Sequence, residues 1–301
     1  MSRFLYAPYT FPLLAITLLL PYPKSEAFEY SDSHYHLKLG GRAHINTEIF
    51  GGVINTAPSN QTGSDLYYRR LRLELGGHVY DWGFKVAINV NDESDPVHEF
   101  TVTYQGWSEH LRLSLGQQKE DFGLTDTGSS NWITPIERAI VSDAFDPGHN
   151  IGIKLHGHHE RVTYSTGFFK VDNDQNNALN LAHTSRVVFR PIVEEQAIMH
   201  LGAAFSYRNS DAGFDGFTAR LGVRGNEIGD ATNLGGSAFT NNNNGNKQSL
   251  FNIEWAGQWR SLHTLTEFFS GRIFDTQNSS TQTTSPYLRC GRQSTQRFQL
   301  P

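Results

Sequence analysis

The sequence predicts an all-β chain that folds as a transmembrane antiparallel β-barrel with one loop folded inward. Three observations support this: long segments of alternating apolar and polar residues, short turns that alternate with longer polar loops, and a central polar segment between two alternating flanks. Side chains of a strand point alternately to opposite faces, so alternation gives each strand one apolar and one polar face. In a membrane barrel the apolar face meets lipid and the polar face lines an aqueous interior.

Composition limits the possible classes of protein. The 301 residues carry a net charge of −5, so nothing global suggests a nucleic-acid partner. A mean hydropathy of −0.46 is too polar for an α-helical membrane protein but suits a barrel, in which only alternate residues face lipid. Cys290 is the single cysteine, which excludes a disulfide framework and a thiolate metal site. Without a P-loop, G-x-S-x-G or H-E-x-x-H motif, we expect no enzymatic activity, no cofactor and no metal.

Residues 1–27 are predicted to be a signal peptide for export. Arg3 gives a positive start, and the apolar run at residues 11–20 is too short to span a bilayer as a helix. Small residues precede a cleavage site after Ala27. The alternative is a buried N-terminal helix.

Residues 28–274 are predicted to form the barrel domain. The clearest strand covers residues 35–49, where Leu37 and Leu39 alternate with His36 and Lys38. Further alternating segments, which bring the total to about twelve strands, lie at residues 66–80, 84–90, 97–104, 111–115, 151–156, 162–168, 182–190, 197–208, 217–224, 251–255 and 262–268.

Residues 275–301 show no alternation and are predicted to be an irregular tail. Outer-membrane barrels usually close with a strand that ends in an aromatic residue, whereas this chain ends Leu300-Pro301. Either the C-terminal part of the barrel is missing or altered, or the barrel has twelve strands and a tail.

The stretch at residues 111–157 carries the most specific pattern. Its flanks alternate, but about thirty residues between them do not, and a compact domain keeps such a loop mainly for function. We expect this loop to narrow a water-filled pore, with Glu137-Arg138 tying it to the wall by a salt bridge. The cluster His156-Gly157-His158-His159 is interpreted as a turn and not as a metal site.

Several segments resemble the phosphate-selective porins O and P of Gram-negative outer membranes: YYRRLRLELGG, LSLGQQKEDFGL, ITPIERAIVSDAF, HNIGIKLHG and HLGAAFSYR, in that order. The resemblance implies a sixteen-stranded trimeric barrel, which places the chain in the outer membrane, among lipid and lipopolysaccharide. It also implies passive diffusion of small anions, phosphate or a related oxyanion, and that the C-terminal strands are absent here.

The same resemblance implies an anion-binding constriction at Arg69, Arg70 and Lys119. Arg72 and Arg42 share the polar face of their strands and join the candidate set. Arg69 has apolar parity, so it needs a rim position or a local bulge to reach the interior. Other arginines are too scattered to form a dense ladder; they are Arg186, Arg190, Arg208, Arg220 and Arg224. A planar guanidinium donates two hydrogen bonds to an oxyanion, and lysine adds a point charge.

A second hypothesis is an exported soluble β-sandwich that recognises a glycan or has a structural role. Aromatic-rich alternating strands also allow this fold. The two hypotheses differ in the apolar face of the long strands, which a second sheet covers in a sandwich and which stays bare in a membrane barrel.

Overall fold

A computed structural model describes residues 28–50, 63–129, 137–171, 180–214, 216–219, 232–233, 245–274 and 281–292. The predicted signal peptide, residues 1–27, lies outside the described residues, as do Arg220 and Arg224. Within the described part, no helix has the length and apolar character needed to cross a membrane.

Strands dominate the described chain, with two short helices between the sixth and seventh strands. In chain order the elements are β1 (Phe28–Ser31), β2 (Tyr35–Phe50), β3 (Gly63–Val79), β4 (Trp82–Asn89), β5 (Val97–Ser108), β6 (Leu111–Lys119), α1 (Leu124–Thr127), α2 (Ile140–Ala144), β7 (His149–His159), β8 (Val162–Lys170), β9 (Leu181–Val193), β10 (Ala197–Phe214), β11 (Thr218–Ala219), β12 (Thr232–Asn233), β13 (Gly245–Trp259), β14 (Leu262–Phe274) and β15 (Thr281–Arg292).

One antiparallel sheet of thirteen strands contains all of them except β11 and β12, which pair with each other. Neighbours along the chain are neighbours in the sheet, and β1 and β15 lie at its two ends. The all-β antiparallel prediction is therefore confirmed.

Two local features, β1 and β15, differ from the prediction. β1 was missed because its four residues are too few to show a period. Of the strand predicted at residues 217–224, only residues 217–219 are described; they contain β11, and the rest of this prediction lies outside the described residues. Part of the predicted irregular tail is β15, which pairs with β14 from Leu262↔Arg292 to Ile273↔Thr281. Backbone pairing needs no alternation of side chains, so the sequence pattern did not show this strand.

The sheet has two different ends. Two-residue turns join β3 to β4, β5 to β6, β7 to β8 and β13 to β14, all at the end that we name the tight-turn end. The first turn residue has positive φ in three of them, at Tyr80, Glu160 and Arg260, as tight hairpin turns require. The three-residue connections from β1 to β2 and from β9 to β10 lie at the same end, whereas the loop between β6 and β7 and the connection from β4 to β5 lie at the other end.

The two faces of the sheet match the membrane-barrel prediction. Apolar side chains of alternate residues are bare, with Leu73 57%, Ile153 43% and Phe168 57% exposed. Polar side chains of the opposite parity, such as Arg186 and Asn252, are buried on the face that we name the lumen face. A β-sandwich would cover the first set with a second sheet, so this arrangement contradicts the sandwich hypothesis.

An apolar cluster joins the central loop to the lumen face. Phe122 and Phe145 from the loop pack with Phe217 and with Phe269 of β14. The Phe145 ring stacks on Phe217 at 4.6 Å and on Phe269 at 5.6 Å between centroids. Gly271 provides the space, because a Cβ there would lie 2.6 Å from the Phe145 ring. The loop is thus held against the wall that β13 and β14 form.

Candidate functional site

A bulge in β3 brings neighbouring arginines to the same face. Pairing with β2 runs His44↔Arg70 and then Ile45↔Tyr68, so Arg69 is the extra residue. A bulge inserts one unpaired residue and re-aims its side chain. Tyr68 is 58% and Leu73 57% exposed on the outer face, which leaves Arg70 and Arg72 on the lumen face. Of the two positions predicted for Arg69, at the rim or at a local bulge, the structure shows the bulge.

The arginines predicted from the sequence differ in their partners. Arg69 donates to Glu137 of the loop through Nε and, at 2.8 Å, through a terminal nitrogen. Arg42 pairs with Glu74 at 3.1 Å. Arg72 donates to the amide oxygen of Asn89 at 2.9 Å, and Arg70 lies 3.5 Å from His44. Within the described residues, neither Arg70 nor Arg72 has a carboxylate within 4.0 Å.

Cross-strand registers extend this basic site across neighbouring strands. Arg42 lies opposite Arg72, which in turn lies opposite Asn89. Lys119 lies opposite His149, whose ring is 4.0 Å from that of His98 between centroids. We name the set Arg42, Arg70, Arg72, His98 and His149 the basic arc.

Lys119 lies at the end of β6, where the chain enters the loop. Its ammonium donates to the backbone oxygen of Asp126 at 2.6 Å and to a carboxylate oxygen of the same residue at 2.8 Å. Its charge is therefore engaged in fixing the first turn of the loop. Gly116, three residues earlier, has φ +120, and a Cβ there would clash with the backbone oxygen of Phe100, so only glycine fits.

The loop is tied to the wall at several points. Glu137 of the loop pairs with Arg69 of β3. Arg138 stabilises the loop internally, because it donates to the backbone oxygens of Thr125 at 2.9 Å and Gly128 at 2.8 Å. Glu267 of β14 accepts the Leu124 backbone N–H at 2.8 Å and the Thr125 hydroxyl. The predicted salt bridge between the loop and the wall is present, with Glu137 as the residue that makes it.

A buried ion pair anchors the end of β6 to the opposite part of the sheet. Glu120 is completely buried. It accepts two hydrogen bonds of 2.8 Å from Arg208, one of 2.7 Å from Asn150 and one from the Thr184 hydroxyl. Arg186 and His200 similarly converge on Glu254, at 2.6 Å and 3.1 Å. Arg186 and Arg208 therefore serve buried pairs.

Two loop carboxyls lie side by side. Burial raises the pKa of Asp126 well above its usual range, the nearby Asp146 raises it further, and Lys119 and Arg138 only partly offset these effects. One Asp126 oxygen is buried without a hydrogen-bond partner in the described structure. Asp126 therefore binds its proton more tightly in the folded protein than in the unfolded chain, although Lys119 and Arg138 favour its ionised form.

The Asp146→Asn substitution is expected to flatten the pH dependence of stability. The raised pKa of Asp126 stabilises the fold below the ordinary value of 3.8, and this contribution is lost as the pH rises through the raised value. The new amide keeps an oxygen for the Gly148 N–H, which Asp146 now accepts at 2.8 Å, but the repelling charge is removed. At neutral pH we expect a gain of about 1.4 kcal/mol per unit by which the Asp126 pKa falls. Urea unfolding of the wild type and the variant between pH 4 and 8 gives the free energy of unfolding at each pH.

Asp95→Asn, which neutralises an exposed loop carboxylate elsewhere, is the matched control and should leave the pH profile unchanged. Parallel profiles for the wild type and Asp146→Asn would refute the prediction.

The structure brings together most of the predicted site. Arg42, Arg69, Arg70 and Arg72 meet on the lumen face of β2 and β3, whereas Lys119 is turned towards the loop. Sequence reasoning missed His98 and His149. Each has the parity of the apolar residues of its strand, Phe100 and Ile151 respectively, so alternation carries no signal that could have found them. In the described part of the chain, no group of three or more acidic, histidine or cysteine side chains is placed to hold a metal ion.

Known proteins similar to this chain point to one family. Porin O of Pseudomonas aeruginosa is 29% identical over 227 residues, which cover 71% of this chain and 50% of the relative. The chain thus spans about half the length of this curated relative.

Two solved structures align with most of the chain. OmpF of Salmonella typhi, solved with daunomycin, aligns with a TM-score of 0.39 at 10% identity over 85% of each chain. DcaP of Acinetobacter baumannii aligns with a TM-score of 0.34 at 12% identity over 84% of this chain and 96% of its own. Residues 37–261 match the family described as phosphate-selective porin O and P, and the chain belongs to that family.

Proposed function

We propose that the protein is a passive channel for small anions, with Arg70 and Arg72 as the groups that meet the anion. Family membership places it in the outer membrane of Gram-negative bacteria and indicates a channel, not an enzyme. Solutes would diffuse down their gradients through the lumen without an energy source.

The proposal rests on one observation: among the described residues, neither Arg70 nor Arg72 has a carboxylate within 4.0 Å. The carboxylates nearest to them are engaged elsewhere: Glu137 with Arg69, Glu74 with Arg42 and Glu99 with Lys85. Two unneutralised guanidinium groups, one residue apart on a lumen face, attract an oxyanion and offer it directed N–H donors. A few such contacts bind weakly enough to release the ion, as conduction requires.

The remaining candidates support this pair. Arg42 adds positive charge but shares it with Glu74. Arg69 and Lys119 act by positioning, because the first holds Glu137 and the second holds Asp126. The imidazoles of His98 and His149 contact each other and interact electrostatically with Arg72, so they add hydrogen-bonding groups near this arginine.

Replacing both arginines by glutamine, Arg70→Gln/Arg72→Gln, tests the proposal. In a planar bilayer under a KCl gradient, the wild type should show a reversal potential on the anion-selective side. The double variant should lose most of that preference, about tenfold in the permeability ratio, which corresponds to about 1.4 kcal/mol. Conductance in phosphate should fall in parallel.

Arg161→Gln/Arg260→Gln is the matched control, because it removes the same charge at two exposed tight turns. It should keep the selectivity of the wild type. Cation selectivity of the wild type, or an equal effect of both double variants, would overturn the proposal.

Phosphate or a related oxyanion is proposed as the solute on the chemistry of the guanidinium pair. A homotrimeric assembly, and contact with lipopolysaccharide, stay predictions that rest on the family.

A further inference from the structure

A second basic cavity lies on the lumen face, towards the tight-turn end. It has a volume of about 430 Å³, and its walls come from β6, β7, β8 and β9. Arg112, Arg190, His156 and Thr163 line it, together with Val188 and Tyr164. None of these residues belongs to the basic arc.

Two of its cations lack a neutralising partner. Among the described residues, Arg112 and Arg190 have no carboxylate within 4.0 Å. Arg190 reaches only the Thr163 hydroxyl, at 3.5 Å, and its Nε is buried without a hydrogen-bond partner in the described structure. A buried unsatisfied N–H is costly, so the site favours a ligand that accepts from it.

The other charges around the cavity are already balanced. Asp121 is bound by Lys154 at 3.2 Å, and Arg186 pairs with Glu254 at 2.6 Å. His156 shares a hydrogen bond of 2.8 Å with the Ser114 hydroxyl. The uncompensated charge in the cavity is therefore that of Arg112 and Arg190.

The shape of the cavity points to more than a bare inorganic ion. A volume of 430 Å³ falls in the range of small-molecule sites, which combine apolar walls with a few convergent polar groups. Here Val188 and Tyr164 supply apolar surface beside the two guanidinium groups. This pairing suits an oxyanion that carries a small organic group.

We propose that this cavity is a second binding site, which takes a small organic oxyanion, either a phosphomonoester or a carboxylate. The inference rests on the proposed function, because it requires that anions enter the lumen. The oxyanion accepts hydrogen bonds from Arg112 and Arg190, and the organic group lies against Val188 and Tyr164. Such a solute then meets two separate sites during its passage.

Single-channel recording of the full chain, with phenyl phosphate added at either side, tests this site. Phenyl phosphate should interrupt the current at lower concentration than inorganic phosphate. Arg112→Gln/Arg190→Gln should raise its half-blocking concentration at least about tenfold. Arg161→Gln, beside the cavity but not lining it, is the control and should leave the block unchanged. Arg190→Lys, which keeps the charge without the fork, should give an intermediate block and serves if the double variant does not assemble.

The outcomes separate this site from the basic arc. Block that depends on Arg190 but survives Arg70→Gln/Arg72→Gln supports the second site, even if the reversal potential refutes the proposed function. Equal block of the wild type and Arg112→Gln/Arg190→Gln overturns it. So does block by inorganic phosphate that is as strong as that by phenyl phosphate and equally dependent on the two arginines. Benzoate, tested alongside, assigns the site to carboxylates if it blocks with the same dependence and to phosphomonoesters if it does not.

Discussion

Replacing Glu120 by glutamine is expected to lower the free energy of unfolding by about 3–5 kcal/mol. Glu120 is completely buried and is the carboxylate that Arg208, itself only 6% exposed, contacts. Removing one charge of a buried pair leaves the other uncompensated in a poorly solvated place. Asn150 and Thr184 would also lose an anionic acceptor. Urea unfolding in lipid vesicles, followed by tryptophan fluorescence, gives the value.

A double variant separates the pair from the general cost of changing Glu120. In Glu120→Gln/Arg208→Met the orphaned guanidinium is gone, so we expect part of the lost stability to return. Glu74→Gln is the matched single control, because Glu74 pairs with Arg42 in a more exposed position and should cost about 0–1 kcal/mol. A stability of Glu120→Gln within about 0.5 kcal/mol of the wild type would contradict the buried-pair account.

The strands could be predicted because one face of each strand meets lipid and the other meets water, which fixes both the alternation of the sequence and the exposure of the side chains. A strand between lipid and water must change polarity at every residue, so segments such as β2 and β7 show their two faces in the sequence. The same alternation indicated that Arg69, a charged residue at an apolar position, needs either a rim position or a bulge, and the pairing of β2 with β3 shows the bulge. β15 could not be predicted in this way, because its sequence does not alternate and its pairing with β14 is made by backbone groups.

The long-range ties of the loop could not be read from the sequence. Glu120 and Arg208 are 88 residues apart, and Leu124 and Glu267 are 143 apart. Alternation assigns each of these four residues to a strand face or to the loop, but it does not predict which residue each one binds. The pairing depends on how the loop lies in the lumen. The phenylalanine cluster contributes to that position through Phe269, and its residues recur with no regular spacing in the sequence.

Phe145→Ala is therefore expected to release the loop from the wall. Phe145 is 2% exposed and stacks on two rings, Phe217 and Phe269, of which the second belongs to β14. Truncating a buried phenylalanine costs about 3–5 kcal/mol through lost transfer energy and a residual cavity. Because this contact joins the loop to the wall, we expect the substitution to weaken the binding of the loop to the wall before it unfolds the barrel. We expect a larger and noisier single-channel conductance, together with faster proteolysis within residues 120–148.

Phe168→Ala provides the matched control, since it deletes the same ring from a side chain that is 57% exposed on the outer face of β8. It should leave both conductance and proteolysis of the loop unchanged. Two polar contacts, Arg69–Glu137 and Glu267 with the Leu124 backbone, remain in Phe145→Ala. The experiment therefore also shows whether these polar contacts alone can hold the loop without the aromatic cluster. If they are sufficient to hold the loop, conductance will match that of the wild type, and the cluster does not set the width of the pore.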